Sequence, residues 1–261
     1  MKTLAKYLGL TFGITWVCWW GDAILVAVSP LVESDPLPMI LFTIGGLGPA
    51  IAACACLDGG FSWRGLGRFL AGHEKGGAFF FVTMILLEIV VFVLTSGGLA
   101  EPITNASLPS GVIVATVFLQ AAVLFGGSEE LGWRGTMQPV LQEKFPHWQA
   151  ICIVGLVWVC WHIPLWFIEG NSHQGMPFIF FAALGLILSY WLGATYNITK
   201  SVICCMALHG LTNTLMGVLV LNVDVAFVLG LVALTVLAIV ADVLNEKRRT
   251  SREGNAEKKK G

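Results

Sequence analysis

Runs of apolar residues close to twenty long alternate with short polar connections along almost the whole chain. Such runs can be drawn at about 8–28, 38–57, 78–96, 111–128, 149–168, 177–195, 201–221 and 224–243. Each approaches the roughly 20 residues that a helix needs to cross the hydrocarbon core of a bilayer. Pro30, Pro36 and Pro38 punctuate the first connection, Gly97, Gly98 and Pro102 the third, and residues 171–177 the fifth. The pattern predicts an all-α, polytopic integral membrane protein with about eight transmembrane helices. It forms one domain over 1–244, followed by a polar, basic tail at 245–261 that is expected to be disordered or to lie at the headgroups. The first run carries Trp16, Trp19 and Trp20 and ends at no small-residue cleavage site, so it reads as a retained helix. No internal repeat is visible, which argues against an inverted-repeat transporter.

Composition strengthens this picture. Hydrophobic residues make up 56% of the 261 and charged residues only 12%, about half the charged share of a soluble domain. The charges are also one-sided. Lys2, Lys6, Arg64, Arg68, Lys75, Arg134, Lys144, Lys200 and the tail account for all 15 Lys and Arg. The alternate connections hold Glu33, Asp35, Glu101, Glu169 and Asp224. This is the positive-inside signature, and it predicts both termini in the cytoplasm and an even number of spans. The expected partner is the bilayer, with no nucleic acid. The seven cysteines form no ligand-spaced pair and read as small buried hydrophobes.

Against this apolar background a few ionisable groups stand out, because lipid rarely tolerates them without a partner or a task. Glu129 and Glu130 follow the fourth run, and Arg134 lies one helical turn beyond Glu130, on the same face. Read as one continuous helix, that run places the glutamates about 27 Å along it, near the cytoplasmic end. His162 lies within the fifth run, four residues after Trp158 and two before Pro164. His209 and Asn213 share a face of the seventh, and Gly210 and Gly217 would admit a close neighbour there. By the same counting His162 lies deeper than the others, so a shared site requires the fifth helix to tilt or protrude. His147 reads as a surface group, and Asp22 and Glu88 as interhelical hydrogen-bonding groups. Ser128 lacks the context of a nucleophilic serine.

Together these residues suit hydrolysis of a peptide bond. Glu129 and His162 are of the types that activate water, and His209 and Asn213 can donate to an oxyanion. Glu130 and Arg134 suit support of the site, and Trp158 can wall it against lipid. Glu129, His162 and His209 are also candidate ligands for a divalent metal such as zinc that would polarise the water. The positive charge of Arg134 beside the acidic pair tips the reading toward no tightly bound ion. An ion-coupled transporter using Asp22 and Glu88, or a catalytically silent immunity or scaffold protein, are the alternatives.

The motifs Glu129-Glu130-Leu-Gly-Trp-Arg134, Trp158-Val-Cys-Trp-His162 and His209-Gly-Leu-Thr-Asn213 resemble those of the intramembrane CAAX-type prenyl endopeptidases and their bacterial relatives, the CPBP or bacteriocin-processing Abi family. Trp158 stands where phenylalanine is commoner. The resemblance covers a catalytic core at about 111–221. It implies a membrane endopeptidase in which Glu129 and His162 activate water, His209 and Asn213 stabilise the oxyanion, and Glu130 and Arg134 support the site. It leaves metal dependence open. The composition looks bacterial, so the implied location is a bacterial cell membrane, and the physiological substrate does not carry over.

Overall fold

A computed structural model describes residues 2–57, 67, 70 and 77–258, with side chains as far as 251. Arg64, Arg68, Lys75 and His73 lie outside the described residues. The protein is an all-α, polytopic membrane protein. Its principal helices are α1 (Lys2–Val28), α2 (Pro36–Gly46), α3 (Gly48–Ala55), α4 (Gly77–Thr95), α5 (Ser110–Val123), α6 (His147–Trp161), α7 (Phe178–Thr199), α8 (Val202–Val218) and α9 (Val225–Lys258). Among the described residues, six helical segments are long and apolar enough to cross a membrane, or seven if α2 and α3, bent by 46°, form one broken span. The seventh expected run, α8, has 17 residues. It ends early because Leu219–Leu221 leave the helix and pair antiparallel with Ser96–Leu99.

Three departures from the sequence reading stand out, two of them at the site. The fourth run is not one helix. It stops at Val123, turns through Gly126 at φ 94°, and resumes as short turns that include a π-helical turn over Trp133–Met137. Only glycine adopts that φ without strain, and π turns concentrate at functional sites. His162 is not inside a helix either. It caps the C-terminal end of α6, and a tight turn over Ile163–Phe167 follows, as Pro164 requires. The tail, in turn, continues α9 unbroken to Lys258, since Glu, Lys and Arg are good helix formers.

One end of the bundle is tied by polar groups. Asp242 Oδ1 accepts from Asn197 Nδ2 at 2.9 Å and lies 3.3 Å from His147 Nδ1. Gln138 and Gln142 donate to Asn197 Oδ1 at 3.0 and 2.7 Å. His147 is therefore a half-buried partner of a buried acid, not a surface group. Of the two intramembrane acids, Glu88 bonds the Thr212 hydroxyl of α8, whereas neither carboxylate oxygen of Asp22 has a partner among the described residues. All seven cysteines are free, and only Cys205 is fully buried.

Close helix approach is confined to particular glycines. A Cβ on Gly210 would lie 2.6 Å from the Ala122 Cα of α5, whereas one on Gly217 would meet nothing within 4 Å. Gly210→Ala is therefore expected to destabilise by about 1–3 kcal/mol through overpacking against backbone. Gly217→Ala should leave stability unchanged or raise it. Thermal unfolding of both variants in detergent checks the pair, and equal behaviour would contradict this packing.

Candidate active site

The site is organised on Glu130. Its Oε1 accepts from Arg134 NH1 at 3.2 Å and from His209 Nδ1 at 2.8 Å. Arg134 NH2 reaches α7, donating to the Ser189 carbonyl at 3.1 Å and to its Oγ at 2.8 Å. Glu130 and Arg134 are fully buried and His209 nearly so. A carboxylate only accepts, so His209 carries a proton on Nδ1 and turns Nε2 the other way.

Glu129 points to a different partner set. Its Oε2 accepts from the indole N–H groups of Trp133 and Trp158, at 3.3 and 2.5 Å, and no protein donor engages Oε1 among the described residues. Trp158 is thus more than a wall. Its ring also packs edge-on against His162 and His209, with centroids 4.7 and 5.6 Å away. His162 Nδ1 lies 2.8 Å from the Trp158 carbonyl. That carbonyl can only accept, so the proton sits on Nδ1 and Nε2 keeps its lone pair. Glu129 and His162 do not bond each other; Trp158 stands between them.

Asn213 donates to the Phe125 carbonyl at 3.3 Å. A Cβ on Gly126 would collide with Asn213 Nδ2 and come within 2.9 Å of His209 Nε2. The two donor-bearing groups therefore converge on a small space that exists because residue 126 has no side chain. Ser128 spends its hydroxyl on the Leu124 carbonyl at 3.2 Å.

Convergence follows from the break in the fourth run. The break after Val123 brings Glu129 against Trp158 and Glu130 against His209. The site then extends toward the connections at 29–35 and 168–177. There His173 lies against His162, with ring centroids 6.2 Å apart. Gly126, Trp133, Ser189 and His173 are the contributors that motif reading missed. The positive φ of Gly126 and the loop position of His173 leave no periodic signal. As for a metal, Glu129, His162 and His209 do not gather as ligands. Among the described residues no three His, Cys, Asp or Glu side chains do so, and Glu129 Oε2 is already held by two N–H donors.

Removing Arg134 strands a buried carboxylate. Arg134→Leu should destabilise by about 3–5 kcal/mol, read by thermal unfolding, while Arg134→Lys, which keeps the charge, should lose less. His173 supplies a pH test. Burial pushes its imidazole down to about 4, against about 6.5 in an unfolded chain. Between those values the unfolded state binds more protons, so this contribution is complete above pH 6.5 and lost as pH falls toward 4. Stability measured from pH 7.5 to 4.5 should therefore fall less steeply in His173→Gln than in the wild type.

Residues 107–215 match the family described as type II CAAX prenyl endopeptidase Rce1-like. That stretch contains Gly126, Glu129, Glu130, Arg134, His162, His209 and Asn213. The chain is also similar to a CAAX prenyl protease 2 of Methanococcus maripaludis, 28% identical over 170 residues that cover 60% of this chain and 60% of that protein. The chain thus matches less than two thirds of the relative's length. Through the segment that carries its buried charges, the chain is a homologue, at the level of the family, of the Rce1-like CAAX proteases of the CPBP superfamily.

Proposed function

We propose that the protein is an intramembrane endopeptidase that hydrolyses a peptide bond of a membrane-associated protein or peptide. The observation that carries this reading is the pairing of a carboxylate with one free oxygen, Glu129 Oε1, and a small space under Gly126 flanked by His209 Nε2 and Asn213 Nδ2. Glu129 and the lone pair of His162 Nε2 take the proton of a water as its oxygen attacks the carbonyl carbon. The oxyanion forms beside Asn213 N–H and, when His209 carries a proton on both nitrogens, its Nε2–H. Collapse breaks the C–N bond, and the proton taken from water passes to the leaving nitrogen. The relative's name makes a peptide with a prenylated cysteine the first substrate to try.

Glu129→Gln keeps the volume and loses the base, so kcat should fall by at least about 100-fold with little change in thermal stability. His209→Ala should lose about 10²–10³-fold, and Gly126→Ala should abolish turnover by filling the oxyanion space. Purified protein against a library of membrane-associated peptides is the measurement. Cleavage surviving Glu129→Gln ends the mechanism, and Asp22-dependent ion flux without cleavage of any peptide favours a transporter.

The proposed setting is a bacterial cell membrane with both termini cytoplasmic, supported by the one-sided Lys and Arg residues. Cysteines introduced near Asn105 and Ser172 should label from outside, and one near Lys144 only from inside. The reverse pattern would invert the topology.

A further inference from the structure

His173 comes from the connection between α6 and α7, outside every motif the function uses. Its Nδ1 lies 2.8 Å from Asn171 Oδ1, which also accepts from the His173 backbone N–H at 3.1 Å. An atom that accepts from a backbone amide is the oxygen of the side-chain amide, so the His173 proton resides on Nδ1. Asn171 Nδ2 in turn donates to Glu33 Oε1 at 2.6 Å. Glu33, Asn171 and His173 form a relay from the α1–α2 connection that fixes both the orientation and the tautomer of the imidazole.

The result is a second lone pair beside the first. With each neutral imidazole protonated on Nδ1, His162 Nε2 and His173 Nε2 are both acceptors, and neither has a protein donor among the described residues. The rings are 6.2 Å apart at centroid and inclined by 25°. Both pack on Phe181, at 5.0 and 5.4 Å. A water between two acceptors spans up to about 5.6 Å, at about 2.8 Å per hydrogen bond, which rings 6.2 Å apart at centroid permit where their Nε2 atoms are turned toward each other. Two adjacent acceptors without a protein donor suit a molecule that donates twice.

We propose that His173 is a further catalytic residue that holds the attacking water jointly with His162. The water donates one hydrogen to each Nε2, which aims its oxygen lone pair at the carbonyl carbon. As the O–C bond forms, one hydrogen passes as a proton to the Nε2 it is hydrogen-bonded to and from there, by way of Glu129, reaches the leaving nitrogen. The other stays in the new carboxyl group. This inference rests on the hydrolytic reading of the site.

The test uses the full chain in lipid nanodiscs. In ¹⁵N-histidine spectra at pH 7, with His173 assigned by its loss in His173→Gln, the proton is expected on Nδ1. Asn171→Leu is expected to release that preference. A proton on Nε2 in the wild type overturns the inference whether or not any peptide is cleaved. Against the best-cleaved peptide of the library, His173→Gln should lower kcat on the order of 10²-fold with KM within about twofold, and added imidazole should restore turnover to His173→Ala. Unchanged kcat, or no rescue by imidazole, overturns the inference while Glu129→Gln still reports on the hydrolytic reading. Cleavage that survives Glu129→Gln but falls in His173→Gln defeats that mechanism, and this inference with it.

Discussion

One carboxylate oxygen, Glu130 Oε1, joins the parts of the site. It receives Arg134 from its own segment and His209 from α8, and Arg134 extends the link to Ser189 on α7. In water such a joint would be weakened by solvent competing for the same groups. Where lipid surrounds the bundle nothing replaces a lost partner, so the arrangement is held by the scarcity of alternatives as much as by its attraction. Glu129, about 100° further around the same turn, is thereby aimed at the two indoles. His209 is thereby turned so that Nε2 faces Gly126.

The aromatic residues complete what the charges begin. Trp133 and Trp158 give their N–H groups to a carboxylate and their ring surfaces to the packing around it. Trp158 and Trp161 both lie edge-on to His162, so the ring that keeps its lone pair on Nε2 has little freedom to rotate. A phenylalanine at 158 would keep the shape and lose the donor. The chain has therefore tied the Glu129 carboxylate and its surrounding packing to one side chain.

The helical spacing of Glu130 with Arg134, and of His209 with Asn213, was legible because four residues return to the same face of a helix. The all-α, polytopic character was legible for the same kind of reason, since length and composition act over many residues. The count of eight was not: six or seven spans are long and apolar enough among the described residues. Single-residue geometry was not. Nothing in the apolar run before Glu129 announces that Gly126 takes a positive φ. Pro164 signalled a disturbance after His162 without placing the histidine at the helix end. His147 looked like an exposed loop group because its partner, Asp242, lies far along the sequence. His173 shares no period with any motif, and only the folded connections bring it to His162.

The unbroken α9 carries a consequence for water supply. Its 34 residues make a rod of about 51 Å, well beyond the roughly 30 Å of hydrocarbon. Asp242 lies about 25 Å along it, where the cluster with His147 and Asn197 forms a polar collar. If that collar marks the headgroup level, Ser189, and with it the clamp of Arg134 on Glu130, sits about 12 Å inward along α7. A hydrolase at that depth consumes one water per bond broken in a place where bulk water does not reach. Its turnover then depends on a hydrated passage, and the connections that carry Glu33 and His173 form the polar rim nearest to where such a passage would open.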